Sequence, residues 1–343
     1  MHEGLQVNHT VIEEVLQATL YGTSFREMMP PKYPDIVFDR AIPDVEQWVH
    51  ALRVHAPELH CDYWPSETLD AGAVRVFATF AAAKETFEAL DNLDLVVSLA
   101  RGDDGLVASG GVQEDVPIAK LHDLTQVDQV TEYIVAALTT HHLRLEEYAT
   151  LAKNRMWAPL EMKVPKDVHV GILGVGAIGL NAARKIKSLG FSVSVWSRSV
   201  RRDLSGIQSF AGSAGLLTMC ANTNVLVCTL PHTEKTNGLI NAQVLQELAA
   251  GAYVINVGRG QTVVDEALIA AIRDGHISGA MLDVFSTEPL PATHEYWAMP
   301  EVTVTPHIAG FTVPEARVGS LTRILSEYRS GSLTSLVDRM EGF

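Results

Sequence analysis

The sequence predicts an α/β protein of two domains, each a doubly wound parallel sheet, and three observations carry that reading. The chain has 343 residues, which at roughly 100–200 residues per domain is enough for two hydrophobic cores. From Asp35 onward short apolar runs alternate with helical stretches, the pattern of strands joined by crossover helices. That alternation occurs twice, on either side of a long amphipathic segment.

In the first set, strands are read at Ile36-Val37-Phe38, Val74-Arg75-Val76-Phe77 and Leu95 to Leu99, with a helix near Val45 to Val54. Between Thr131 and Asn154, Ile134, Ala137, Leu138, His141, Leu145, Tyr148 and Ala152 recur at three- and four-residue spacing, which predicts one long helix. Adjacent His141 and His142 point different ways on it, so they read as packing or surface positions and no metal site is expected. The second set begins with Val168 to Leu173 and continues through Val193 to Trp196, Val225 to Cys228, Tyr253 to Asn256, Gly279 to Leu282 and Val302 to Val304. Val313 to Leu336 is helical again and too short for a third domain, so it is expected to pack back on the first and make it discontinuous. The expected division is 35–133 with 309–343 for the first domain and 134–308 for the second. Residues 1–34 hold one amphipathic segment, Val11, Ile12, Val15, Leu16 and Thr19, then Pro30-Pro31 and Pro34. An arm on the core and an arm on another subunit are both open for it.

Composition excludes several function classes. Apolar residues at 47% and charged residues at 20% are those of a folded protein rather than a disordered tail. Twenty-six Lys and Arg against 41 Asp and Glu give a net charge of −15, which disfavours nucleic acid and anionic membranes as partners. An anionic substrate therefore needs a local cationic site. Cys61, Cys220 and Cys228 form no CxxC pair, as expected in a reducing compartment. The uncharged stretch Leu204 to Thr233 is interrupted by Gln208, Ser209, Asn222, Thr223 and Asn224, so it is not read as a membrane span. With no basic-then-apolar run at the start, a cytoplasmic protein is expected.

Gly174-Val175-Gly176-Ala177-Ile178-Gly179 follows a strand and opens a helix. In that setting Gly174 permits the tight turn, Gly176 lets a pyrophosphate approach the backbone, and Gly179 lets helix and strand pack closely. The phosphates are then expected on the N–H groups at the positive helix end, around Ala177 and Ile178. This is the Rossmann fingerprint of a dinucleotide. After the next strand, where an NAD site offers a carboxylate to the ribose, the chain reads Trp196-Ser197-Arg198-Ser199-Val200-Arg201-Arg202. With nothing there to repel a 2′-phosphate and Arg198 able to bond it, NADP is favoured over NAD. Arg201 and Arg202 either assist or face solvent.

Three later segments sit at strand ends: Asn256-Val257-Gly258-Arg259-Gly260, Leu282-Asp283-Val284-Phe285-Ser286-Thr287-Glu288-Pro289-Leu290, and Thr305-Pro306-His307-Ile308-Ala309-Gly310. The carboxyl ends of parallel strands line the ligand crevice, so Arg259, Glu288 and His307 are expected to converge beside a nicotinamide. Arg259 can pin a carboxylate and polarise a carbonyl, His307 can give or take a hydroxyl proton, and Glu288 can orient His307 and stabilise its charged form.

These segments, in this order and spacing, resemble the D-isomer-specific 2-hydroxyacid dehydrogenase family over roughly Asp35 to the C-terminus. The resemblance implies a Rossmann-like coenzyme domain, a flavodoxin-like substrate domain, no catalytic metal and a homodimer. It implies catalytic roles for Arg259, Glu288 and His307, a nicotinamide amide contact for Asp283, and a cofactor-side loop at Leu230 to Thr236 that includes Pro231 and Thr236. Trp196 to Ser199, Gln208 to Gly212 and the ending near Val337-Asp338-Arg339 are most similar to the glyoxylate/hydroxypyruvate reductase branch, which uses NADPH. Formate dehydrogenases of this fold carry Gln where Glu288 stands, which argues against that activity. The resemblance also places the substrate carboxylate on the loop Ser98 to Gly105, with Ala100, Arg101 and Gly102 as contacts. Arg101 and Asp103 depart from the family's small residues there: Arg101 either meets a second substrate charge or pairs with Asp103. Phe77 stands where close relatives have Trp and is expected to alter pocket width.

The expected reaction is reduction of a small 2-oxo acid by NADPH, with closure of the two lobes excluding water. One rival is a dinucleotide-sensing, corepressor-like protein with little turnover. A phosphoglycerate-type dehydrogenase is a second, disfavoured because the short stretch after His307 leaves no space for a regulatory domain.

Overall fold

The computed structural model describes residues 33–100, 106, 110–121, 124–202, 204–310 and 313–337. Residues 1–32 of the N-terminal extension, Arg101, Gly102, Asp103, Asp338 and Arg339 lie outside the described residues. The chain divides into two compact units at His122/Asp123 and Val313/Pro314.

The first unit holds β1 (Ile36–Asp39), β2 (Cys61–Trp64), β3 (Val76–Thr79), β4 (Leu95–Ser98) and β5 (Ile118–Lys120). They form one sheet in the order β2-β1-β3-β4-β5 with every pair parallel. Strands covered on both faces read as continuous apolar runs, and β1, β3 and β4 are buried along their whole length. Helix Pro314–Ser330 packs Leu321, Ile324 and Leu325 into the cluster that holds Trp48, Val49 and Leu52 of helix Val45–His55. The C-terminal segment is thus part of this unit's core, and the domain is discontinuous. Beyond that helix Leu336 bridges Ala119 antiparallel, so this segment lies along the β5 edge.

The second unit contains β6 (His169–Leu173), β7 (Ser192–Ser197), β8 (Gln208–Ala211), β9 (Val225–Cys228), β10 (Ala252–Asn256), β11 (Ile277–Leu282) and β12 (Val302–Val304). Their order is β12-β11-β10-β9-β6-β7-β8, again all parallel. The order reverses between β6 and β9, which makes that pair the switch point where such sheets bind ligands.

The structure corrects three expectations. The unit boundary falls at residue 122 rather than 133, because helix Leu124–His142 packs as a whole on helix Ala177–Ser188 of the second unit. The single long helix is two, Leu124–His142 and Leu145–Lys153, separated by Arg144 in the left-handed region at φ 55°. The break is held by the Arg144 guanidinium, which grips Glu147 through two bonds of 2.7 and 2.5 Å and donates to the Glu161 carbonyl at 3.0 Å. The strand read at Val74 to Phe77 is shifted two residues, to Val76–Thr79. His141 stacks on Tyr253 with centroids 4.0 Å apart and His142 meets Phe191 edge-on at 5.0 Å, so both serve packing. Burial pushes His141 down to about 4.

Candidate functional site

At the switch point, Gly174 closes β6 with φ 103° and donates its N–H to the Trp196 carbonyl at 2.9 Å. A Cβ on Gly179 would lie 2.1 Å from the Gly174 carbonyl oxygen, so helix Ala177–Ser188 can approach β6 this closely only with glycine there. Gly176 differs: a Cβ on it would meet nothing within 4 Å, and Gly176 and Ala177 are exposed. Gly176 caps the helix without any side-chain bond, which leaves the N–H groups of Ala177 and Ile178 turned to that open space. An uncapped helix N-terminus with room above it fits a pyrophosphate. Pro231 follows β9 on the other side of the switch point. The buried Thr236 hydroxyl donates to the Pro231 carbonyl at 2.6 Å and accepts from Thr233 N–H at 2.8 Å, so Thr236 braces this loop.

Beyond β7, Ser197 Oγ donates to the Ser199 carbonyl at 2.8 Å and folds the turn on itself. Arg198 is exposed, and among the described residues no ion pair engages it. Sequence reasoning missed what holds this turn: Arg201 N–H donates to Ser209 Oγ at 2.9 Å, from β8. The polar run Gln208-Ser209 gives no strand signal by itself.

The catalytic candidates stand on three neighbouring strands. Register pairs Asn256 with Leu282 and Leu282 with Val304, so β10, β11 and β12 end side by side. Arg259 follows β10, Glu288 follows β11 and His307 follows β12. A Cβ on Gly260 would sit 1.8 Å from the Phe285 carbonyl carbon, so glycine beside Arg259 is what lets the β10 loop lie on the β11 loop. Arg259 is half-buried and donates to the Gly258 carbonyl at 2.7 Å, while Asn256 Nδ2 and Thr262 Oγ1 hold its own carbonyl at 3.1 and 2.6 Å.

Glu288 and His307 are directly bonded, Oε2 to Nδ1 at 2.8 Å. The other carboxylate oxygen accepts Phe285 N–H at 2.9 Å, so both oxygens are fixed. A carboxylate only accepts, which puts the proton of this bond on Nδ1 and leaves Nε2 for chemistry. The imidazole is half-exposed and its residue adopts φ 55°, the left-handed region that non-glycine residues occupy only when neighbours hold them. The holder is Asp283. Its carbonyl accepts His307 N–H at 2.9 Å, its Oδ1 accepts Thr305 Oγ1 at 2.6 Å and Ile308 N–H at 2.8 Å, and its Oδ2 accepts Ala309 N–H at 2.8 Å. Asp283 is 1% exposed, and its carboxylate braces the loop that presents His307.

In the first unit, Phe77 has no exposed surface and packs edge-on against Phe87, centroids 6.1 Å apart. As an interior residue of β3 it packs in the core. Ala100 follows β4 half-buried, and Ser98 Oγ reaches its carbonyl at 3.5 Å.

Strand ends that offer phosphates a helix N-terminus and, three and four strands away, hold a carboxylate locked to an imidazole define a nicotinamide-nucleotide oxidoreductase. Residues 135–309 match the D-isomer specific 2-hydroxyacid dehydrogenase, NAD binding domain. The glyoxylate/hydroxypyruvate reductase A of Yersinia enterocolitica is 31% identical over 318 residues, 90% of this chain and 100% of that protein. Among solved structures, a D-isomer specific 2-hydroxyacid dehydrogenase from Xanthobacter autotrophicus Py2, in complex with NADPH and MES, superposes with a TM-score of 0.85. Identity to it is 31%, with 91% of this chain and 100% of that chain covered. The NADPH-dependent glyoxylate/hydroxypyruvate reductase of Sinorhizobium meliloti, in complex with NADP and sulfate, gives 0.83 at 31% identity and the same coverage. The chain belongs to the D-isomer-specific 2-hydroxyacid dehydrogenase family and is an NAD(P)-dependent dehydrogenase.

Proposed function

We propose that this protein reduces a small 2-oxo acid of the glyoxylate or hydroxypyruvate type to the D-2-hydroxy acid with NADPH. The observation that carries the reading is the His307 Nδ1 to Glu288 Oε2 bond of 2.8 Å beside the Arg259 loop. NADPH, held at Gly174 to Gly179 with its 2′-phosphate toward Ser197, Arg198 and Ser199, supplies the hydride that adds to C2. Arg259 binds the substrate carboxylate and draws electron density toward the carbonyl oxygen. Protonated His307 gives the Nε2 proton to that oxygen as C2 accepts the hydride, then recovers a proton from water. Glu288 stabilises the imidazolium and keeps Nε2 turned to the substrate. Ala100, Arg101 and Gly102 are proposed as further substrate-binding residues.

NADPH oxidation measured against a panel of 2-oxo acids tests this reading. Turnover on glyoxylate or hydroxypyruvate is expected. Tight NADPH binding with no turnover on any acid would favour a sensor instead. His307→Ala is expected to lose on the order of 10²–10⁴-fold in kcat while NADPH still binds.

We also propose a homodimer in the cytoplasm. Leu143, Leu145, Met156, Trp157, Met162 and Val164 are exposed together on one stretch of chain, with Trp157 fully so, an apolar surface suited to a second copy. The three free thiols fit a reducing compartment. Among the described residues no helix is long and apolar enough to cross a membrane.

A further inference from the structure

We propose that Tyr133, in the middle of helix Leu124–His142, is a positioning residue for His307, acting through Thr305 and Asp283. The inference rests on the proposed role of His307 as proton donor. The Tyr133 hydroxyl lies 2.6 Å from Thr305 Oγ1, and Thr305 Oγ1 lies 2.6 Å from Asp283 Oδ1. The direction of this chain follows from the number of protons available. Asp283 accepts, so the single threonine hydroxyl proton goes to it, and the contact with Tyr133 is made by the phenol proton. Burial, with the Asp283 charge beside it, pushes the phenol up to about 12, so it stays a donor throughout the working range.

Each link then has a mechanical consequence. Thr305 is fixed from both sides, by Tyr133 above and Asp283 below. Asp283 in turn holds the N–H groups of His307, Ile308 and Ala309. His307 occupies a left-handed conformation and among the described residues its half-exposed ring has one side-chain partner, Glu288, so its aim depends on these backbone anchors. Tyr133 reaches the catalytic imidazole by three hydrogen-bonded steps, from a helix that supplies none of the proposed catalytic groups.

Tyr133→Phe removes one hydroxyl and leaves the ring. The experiment compares the variant with the wild type, in the wild-type and His307→Ala backgrounds, for kcat, KM and NADPH affinity. Amide hydrogen exchange of Ile308 and Ala309 is followed in the same proteins. The expected result is a fall in kcat of about tenfold, the cost of one buried hydrogen bond on the aim of the donor. KM and NADPH affinity should stay within about twofold, and in the His307→Ala background the same change should alter residual turnover by less than about twofold. Exchange at Ile308 and Ala309 should accelerate. Wild-type kcat, wild-type exchange, or an equal loss in both backgrounds would overturn the proposal. If the wild type reduces no 2-oxo acid, the proposed function fails by itself, and the exchange data alone decide whether Tyr133 holds this loop.

Discussion

Replacing Glu288 by Gln isolates the step at which the site is most demanding. Both partners of this side chain are donors: Phe285 N–H at 2.9 Å and His307 Nδ1–H at 2.8 Å. A carboxylate satisfies both, whereas an amide has one accepting oxygen on one arm and must turn its NH₂ toward one of the two donors. Glu288→Gln therefore loses one charge-assisted bond in any rotamer. Such a bond is worth about 1.5–3 kcal/mol when water is excluded, and less in the free enzyme, where the side chains of His307 and Glu288 are 51% and 36% exposed. The ground-state fold should accordingly change by less than about 1 kcal/mol. The reacting complex should feel the larger value, a fall in kcat of roughly 10- to 150-fold. Urea unfolding measures the first quantity, steady-state NADPH oxidation with glyoxylate and hydroxypyruvate the second, and NADPH titration controls for cofactor binding. Undiminished kcat would refute the assignment of Glu288 as the companion of the proton donor. A loss explained wholly by weaker NADPH binding would do the same.

Two further outcomes are expected. Arg198→Ala should weaken NADPH far more than NADH if the exposed guanidinium takes its proposed role at the 2′-phosphate, which NADH lacks; equal losses, measured by titration, would remove that contact. His141→Phe keeps a ring on Tyr253 but removes a group that burial holds at about 4 in the fold against 6.5 unfolded. A depressed histidine leaves the unfolded chain binding the extra proton, so its contribution is complete above about 6.5 and is lost as pH falls toward about 4. Between pH 7 and pH 5 the wild type should lose about 2 kcal/mol more than the variant, read from urea midpoints at the two values. Parallel losses would show that His141 is not the group responsible. His142 and His169, also lowered by burial, remain in both proteins and cancel in the comparison.

Much of the fold was legible because its buried strands are apolar along their length, as Val225 to Cys228 and Leu95 to Ser98 are. The strands that escaped are edges or near-edges. Cys61–Trp64 is only half-buried, and Gln208–Ala211 carries polar side chains because one of its flanks has no neighbouring strand. The break at Arg144 escaped for another reason. Apolar spacing runs through it unbroken, and an arginine rather than glycine takes the left-handed turn because Glu147 and the Glu161 carbonyl hold its guanidinium.

The site divides along the same line. Gly174 to Gly179 are adjacent in sequence, and the backbone conformation they require can be read from their spacing. Arg259, Glu288 and His307 follow neighbouring strands because β10, β11 and β12 are consecutive in the sheet, with strands about 4.8 Å apart. Motif order could indicate that, but the structure was needed to show which donors each group meets. The role of Asp283 lay beyond the sequence entirely. The sequence does not show which donors a carboxylate beside a strand end meets, and here Thr305, Ile308 and Ala309 bond its oxygens. Tyr133 is further removed still, 172 positions from the threonine it bonds, on a helix whose apolar periodicity marks it as core. The proposed proton donation by His307 thus depends on two kinds of residue. Those that touch reactants announce themselves by chemistry, while those that aim the donor are ordinary residues in sequence and acquire their role only from the fold.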